Sequence, residues 1–254
     1  MKVVTITQRK GGNGKSTLTL NFAHALAKYH GQKVLIIDTD DQRNTTSAIP
    51  TKRPAASTIE NLLFDQYTAI EDAAEETLWE GVDLIVGSRN LSTASATLDN
   101  LAGSHQRLLA KLVYSQRYDV CLIDTSPSLN MLTINAMCAS HGIIIPLAST
   151  YFSLEGLAQT LYAYRRIQES LRHDLKLYGA AFVIHDGRTR LARDVQEKVK
   201  EQYPGLLCET AVVRSVKIEE AQCAKQSIFS YAPSNRAAAQ YRDLADELAE
   251  RMKQ

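Results

Sequence analysis

Gln8-Arg9-Lys10-Gly11-Gly12-Asn13-Gly14-Lys15-Ser16-Thr17 is the stretch whose reading decides the fold. It follows a short apolar β-type run, Val3-Val4-Thr5-Ile6, and opens an apolar-periodic helix from Leu18 to Leu26. Strand, Gly-rich turn, Gly-Lys-Ser and helix, in that order, make a phosphate cradle. Glycines let the backbone curl around an anion because no Cβ blocks its N–H groups. Lys15 is then placed to reach the β- and γ-phosphates. The Ser16 hydroxyl is placed to ligate Mg²⁺, an ion that keeps most of its other ligands as water and phosphate oxygen. Gly11, Gly12, Asn13, Gly14, Lys15, Ser16 and Thr17 are the expected nucleotide-binding set. The alternative, a Gly-rich turn that merely joins strand to helix, sits poorly with Gly-Lys-Ser-Thr at the helix start.

Outward from the loop, Lys33-Val34-Leu35-Ile36-Ile37 reads as an apolar strand covered on both faces. It runs into Asp38-Thr39-Asp40-Asp41-Gln42, and carboxylates at the carboxyl end of a parallel strand face the ligand crevice. Tyr118 to Asp124 is a second strand that ends on a carboxylate. Four apolar residues followed by Asp suit a group that holds Mg²⁺ through water, a weak signal alone and a strong one beside the first loop. Further strands are expected at 81–86, 142–146 and 177–184. Helices are expected to Tyr29 after the loop, over 104–116 with Leu108, Leu109, Leu112 and Val113 inward, over 152–171, and from the 185–189 turn to about Tyr203. Residues 50–56 read as a surface loop, and Ser57 or Thr58 is suited to cap a short helix through Leu63. This alternation predicts an α/β fold: a doubly wound, mostly parallel sheet with helices on both faces, forming one domain over 1–254. Right-handed crossovers would set the first loop, Asp40 and Asp124 along one edge of it.

A net charge of +1 gives no bulk attraction to nucleic acid or membrane, so such binding would need a local patch. Cys121, Cys138, Cys208 and Cys223 show no metal-ligand spacing. Cys121 and Cys138 read as buried thiols in a strand and a helix. No signal peptide precedes the first strand and no apolar run approaches the ~20 residues of a membrane span, so a cytoplasmic protein is expected.

The strict pattern G-x-x-x-x-G-K-[ST] would have Gly at position 9, where this chain has Arg9, and a second lysine, Lys10, precedes Lys15. Lys-Gly-Gly-x-Gly-Lys-[Ser/Thr]-Thr resembles the deviant Walker A motif of the ParA/MinD superfamily of P-loop NTPases. The resemblance implies that Lys10 reaches across a dimer interface to the partner's nucleotide. Asp38-Thr39-Asp40-Asp41-Gln42 resembles the family's Asp-x-Asp-Pro-Gln, which implies that Asp40 positions or activates the attacking water and that Asp38 lies nearer the Mg²⁺ shell. Asp41 stands where the family has Pro, Arg43 where it has Gly, and Asn13 where it has Val. The Asp41 and Arg43 departures imply a looser loop with slow or differently regulated hydrolysis, and the Asn13 amide stands where it could help or hinder dimer closure. Asp124-Thr125-Ser126-Pro127-Ser128 resembles the family's switch segment, and Asp124 takes the Walker B place. Val212-Val213-Arg214-Ser215-Val216-Lys217-Ile218-Glu219-Glu220-Ala221 and Tyr231-Ala232-Pro233-Ser234-Asn235-Arg236 extend the likeness, to Soj-like ParA proteins in particular, nearly end to end.

What the resemblance implies is a Mg²⁺-dependent ATPase that dimerises on ATP and binds double-stranded DNA without sequence preference. A ParB-like centromere-binding partner would trigger hydrolysis, and the protein would be nucleoid-associated. Basic residues gather in the C-terminal third, and Arg188, Arg214, Lys217 and Arg236 are the expected DNA contacts, Arg214 and Lys217 foremost. With the first strand starting at Lys2, no leading helix-turn-helix domain is expected. A MinD-like ATPase that positions a protein cargo or cycles on membranes would need a basic amphipathic C-terminal helix. The stripe Tyr241, Leu244, Ala245, Leu248 and Met252 exists, but acids slightly outnumber bases on the polar face, so packing on the sheet is expected instead. An iron–sulfur reductase would need thiolates at a dimer interface, which these cysteines do not offer.

Overall fold

The computed structural model describes residues 1–253. Its centre is a sheet of β1 (Lys2–Ile6), β2 (Val34–Thr39), β3 (Glu75–Glu76), β4 (Val82–Ile85), β5 (Val120–Thr125), β6 (Gly142–Ala148) and β7 (Lys176–Ile184). The strand order is β3-β4-β2-β5-β1-β6-β7. Every pairing is parallel except that of the two-residue edge strand β3 with β4. The order reverses beside β1, the position at which a doubly wound sheet opens a crevice at its carboxyl edge.

Strand β2 shows why the strands are apolar throughout. Val34 and Ile36 face one core layer, Leu35 and Ile37 the other, and all four are fully buried. Successive side chains of a strand point to opposite faces, so each must find its own helical cover. On the first face lie α1 (Lys15–His30) and α12 (Arg236–Arg251). The Tyr241, Leu244, Ala245, Leu248 and Met252 stripe of α12 is buried there, so its apolar surface is spent on internal packing. The other face is covered by α3 (Ile59–Phe64), α4 (Ile70–Ala73), α5 (Leu91–Asp99), α6 (Arg107–Leu112) and α7 (Met131–Ala139). Helices α8 (Tyr151–Ser170) and α9 (Arg190–Gln202) cover β6 and β7. The short helices α2 (Asn44–Ala48), α10 (Val216–Cys223) and α11 (Ile228–Tyr231) complete the fold around the crevice.

Several local expectations shift. Thr58 is the cap of α3, its backbone N–H donating to the Asn61 side chain at 2.9 Å. The predicted 104–116 helix splits into a 3₁₀ turn at Ser104–Gln106 and α6. Leu108 and Leu112 point inward and Leu109 packs at the margin, but Val113 is 66% exposed. The helix ends at Leu112, so its inward stripe stops before Val113. Strand β3 and helices α2, α4 and α5 were not predicted, being too short or too weakly periodic. Cys121, Cys138 and Cys208 are buried and Cys223 is exposed, all as free thiols. Among the described residues no helix is long and apolar enough to cross a membrane.

Candidate nucleotide site

The loop between β1 and α1 bends through two left-handed residues, Gly12 (φ 76°) and Gly14 (φ 81°). A Cβ at Gly14 would stand 2.7 Å from the Val183 methyl, so both backbone angle and space demand glycine there. Nothing lies within 4 Å of where Cβ atoms of Gly11 and Gly12 would be. Helix α1 begins with no side-chain cap and no acid in its first turn. Its free N–H groups and positive dipole end are left for an anion. Gly11, Gly12, Gly14, Lys15, Ser16, Thr17 and Asp40 line a crevice of about 570 Å³, closed on other sides by Asn44, Ser47, Pro127, Ile184 and Gln222. A larger hollow of about 810 Å³, around Tyr178 and Arg251, lies at the start of β7 and contains none of these groups.

Strand ends fix the acids. The Thr39 hydroxyl donates to the Asp124 carbonyl at 2.7 Å and the Thr125 hydroxyl to the Ile6 carbonyl at 3.0 Å, which locks β2, β5 and β1 at the crevice. Asp124 is fully buried, with Thr45 donating to Oδ2 at 2.7 Å and the Ser16 hydroxyl close enough to act on the carboxylate. Its Oδ1 has no partner. Burial pushes its carboxyl well above the usual range and the Asp38 charge adds to the rise, against hydrogen bonds from Thr45 and Ser16 and the charge of Lys15. Asp38 is raised too, chiefly by burial. Both of its oxygens are already engaged, Oδ2 by the Thr46 N–H (2.8 Å) and hydroxyl (2.6 Å), Oδ1 by the Asp40 N–H (3.1 Å). Asp38 thus shapes the acidic loop and acts on Asp124 through its charge.

Lys15 is buried, which lowers its affinity for a proton, and Asp124 and Asp40 oppose that shift. Asp40 is raised by burial first; the Asp41 side chain adds to the rise, while the Gln42 N–H and Lys15 counter it. Asp41 therefore carries a consequence the loop would lack with proline: a second carboxylate beside the first. Arg43 is left-handed (φ 55°) and caps α2, a conformation that costs about 1–2 kcal/mol in any residue with a Cβ. Glycine in that place would avoid the cost.

The two lysines of the loop part company. Lys10 is exposed, its ammonium lying 5.0 Å from the centre of the Phe152 ring. Asn13 is 3% exposed; its Oδ1 accepts from the Ser153 hydroxyl at 3.1 Å and its Nδ2 has no partner. The Arg9 N–H donates to the Thr160 hydroxyl at 3.0 Å, so one face of α8 (Phe152, Ser153, Thr160) holds the first half of the loop. Sequence reading missed these three residues, together with Thr45, Thr46 and Gln222. Thr45 and Thr46 follow the acids closely and a cap search could have found them. The α8 residues and Gln222 touch the loop from about 140 to 205 positions away, with no local signal.

The expected DNA contacts come from segments the fold brings together. A parallel bridge joins His185 to Val213, and the Ser215 hydroxyl lies 3.4 Å from the Asn235 side chain. The Arg188 turn, Arg214 and Lys217 at the start of α10, and Arg236 at the start of α12 are thereby neighbours, and all four are exposed. Lys217 is paired with Glu220 at 2.7 Å and lies over the Tyr231 ring, while Arg188 is paired with Asp186 at 3.0 Å.

Among the described residues no cluster of three or more His, Cys, Asp or Glu side chains could hold a metal on its own. The donor set here, one hydroxyl and a buried carboxylate with an orphaned oxygen facing an uncapped helix start, fits Mg²⁺ completed by phosphate and water. A profile of the AAA_31 family (AAA domain) matches residues 1–177. The sporulation initiation inhibitor protein Soj of Bacillus subtilis is 36% identical, with 98% of each chain covered. The chain belongs to the ParA/Soj family of P-loop ATPases. The chromosome partitioning protein ParA of Caulobacter vibrioides (strain NA1000 / CB15N) is 31% identical over 99% of this chain and 95% of its own. The crystal structure of cobyrinic acid a,c-diamide synthase from Mycobacterium smegmatis, with ADP and magnesium bound, superposes with a TM-score of 0.84 at 26% identity, covering 100% of this chain and 96% of that one. Membership of the ParA/Soj family brings nucleotide hydrolysis with it.

Proposed function

We propose that this ParA/Soj-family chain, as one ATPase domain over 1–254, hydrolyses ATP with Mg²⁺, dimerises on ATP, and binds double-stranded DNA without sequence preference. A ParB-like centromere-binding partner would reset the cycle, with the protein cytoplasmic and nucleoid-associated. The observation that carries the reading is the fully buried, half-orphaned Asp124 beside Ser16 and Lys15, across from an uncapped helix start. A buried charge without a complete set of partners is costly, and a cation–phosphate ligand completes it.

In this reading the N–H groups of Gly11, Gly12, Asn13 and Gly14 and the Lys15 ammonium hold the phosphates, and Thr17 adds a hydroxyl. Ser16 and Asp124 would hold Mg²⁺, Asp124 through water, with Asp38 behind it. Bound Mg²⁺ neutralises charge on the β- and γ-phosphate oxygens. Asp40 orients the attacking water and draws on its proton, an act its raised proton affinity favours. Lys10 swings from the Phe152 ring to the partner's nucleotide, where a second cation stabilises charge that develops in transfer. Arg188, Arg214, Lys217 and Arg236 meet DNA phosphates, and the dimer doubles the patch.

The test is binding to a random-sequence duplex at two salt concentrations, with ATP, with ADP and with neither. Binding only with ATP, weakened by salt, is expected. Absence of binding in every state would remove DNA as the client and leave a ParA-like ATPase with another cargo.

A further inference from the structure

Gln222 is the last-turn residue of α10, and its side chain reaches the first turn of α1. Its Nε2 donates to the Thr17 hydroxyl oxygen at 2.9 Å, and Gln222 itself lines the crevice. A threonine hydroxyl has one proton to give and two lone pairs to offer. The Gln222 amide occupies a lone pair, so the Thr17 proton is left free, and among the described residues no protein acceptor takes it. Phosphate oxygens are acceptors only. A hydroxyl whose oxygen is already capped by a donor therefore presents to the crevice the polarity that a phosphate needs. Thr17 is also fixed from its backbone: its carbonyl accepts from Asn21 Nδ2 at 2.9 Å, and Asn21 Oδ1 accepts from the Ile228 N–H at 3.0 Å.

We propose that Gln222 is a positioning residue for nucleotide binding, which orients the Thr17 hydroxyl as a donor to a phosphate oxygen and ties the end of α10 to the phosphate helix. It deepens, and rests on, the nucleotide reading of the crevice. The bond spans 205 positions, and two other ties hold the same region without it. Asn21 holds Ile228, and Trp79 Nε1 donates to the Lys225 carbonyl at 3.2 Å. Loss of the Gln222 amide therefore leaves the turn between α10 and α11 anchored.

The test is a double-mutant cycle on Mg·ADP binding, measured by calorimetry in wild type, Gln222→Leu, Thr17→Ala and the double variant. Leucine keeps most of the volume and removes the donor. Gln222→Leu is expected to weaken Mg·ADP about 5-fold, the worth of one net hydrogen bond. In the Thr17→Ala background the same change is expected to cost less than about 2-fold, because the hydroxyl through which Gln222 acts is gone. Equal losses in both backgrounds would overturn the proposal, since a direct nucleotide contact or a general loosening of α10 does not depend on Thr17. Wild-type affinity in Gln222→Leu would overturn it as well. Failure of wild type to bind Mg·ADP would instead bring down the nucleotide reading, and the role of Gln222 with it.

Discussion

Two charged regions of this ATPase contrast. At the start of α1 and the carboxyl ends of β2 and β5, Lys15, Asp38, Asp40 and Asp124 are buried, and Asp124 lacks a partner for one oxygen. Around the starts of α10 and α12 the cations are exposed, and Lys217 and Arg188 each bring their own acid. A buried, incompletely paired charge costs stability and persists where a ligand completes it. An exposed pair contributes about 0–1 kcal/mol and says little about purpose. The crevice is thus marked by its cost, and the basic face only by its position.

The sharpest break of that contrast is Lys15→Ala. Nucleotide affinity is expected to fall by about 100-fold or more, since a buried cation facing phosphate is removed and Asp124 and Asp40 lose their countercharge. Wild-type ATP affinity in equilibrium dialysis would show that the crevice does not hold phosphate. Next comes Asp40→Ala. ATP binding and ATP-dependent dimerisation are expected to persist, while steady-state phosphate release falls about 100-fold or more. Undiminished turnover would remove Asp40 from the mechanism.

Asp124→Asn probes the cost directly. With nucleotide and metal chelated away, the variant is expected to be more stable than wild type at pH 7, by about 1 kcal/mol or more, a rise of about 2–4 °C per kcal/mol in thermal midpoint. The sign follows from linkage. The folded carboxyl is raised above its unfolded value of about 3.9, so the native state binds more protons between the two, and stability falls as pH rises through that window. The variant should lose that part of the slope, and also the stabilisation that Mg²⁺ with nucleotide gives the wild type. An apo midpoint below wild type at pH 7 would mean that the Thr45 hydrogen bond and the nearby Lys15 charge outweigh the burial of charge.

Legibility in the sequence follows the same division. The phosphate loop, the strand ending on Asp124 and the acids after β2 are local patterns, and the parallel sheet follows from strands apolar on both faces. The partners that complete those patterns were only partly legible, the nearby threonines in principle and the distant helices not at all. Thr46 turns Asp38 from an open ligand into a loop brace, and Ser153, Thr160 and Gln222 reach the loop from distant helices. Val113 was misplaced because periodicity does not tell where a helix stops. The meeting of the Arg188, Arg214 and Arg236 segments depends on a β-bridge and a cap contact that no spacing encodes.

The smallest effects belong to the basic face, where they decide whether position alone marked it correctly. Arg214→Glu and Lys217→Glu are each expected to weaken binding to a random duplex about 10-fold at low salt while ATP-dependent dimerisation stays intact. Each is also expected to reduce the salt slope by about 0.9 for every DNA phosphate that the variant no longer neutralises. Lys217 carries the finer test, because its ammonium already rests on Glu220, which also accepts from the Tyr231 hydroxyl at 3.0 Å. A DNA phosphate must compete with that carboxylate. Glu220→Gln is therefore expected to tighten DNA binding about 2- to 5-fold, in keeping with an exposed pair worth at most about 1 kcal/mol. If Glu220→Gln leaves affinity unchanged while Arg214→Glu lowers it, the DNA path runs over Arg214 and passes Lys217 by. If none of the three changes shifts affinity at matched salt, the exposed cations are a solvated face, and burial is left as the one reliable mark of function in this chain.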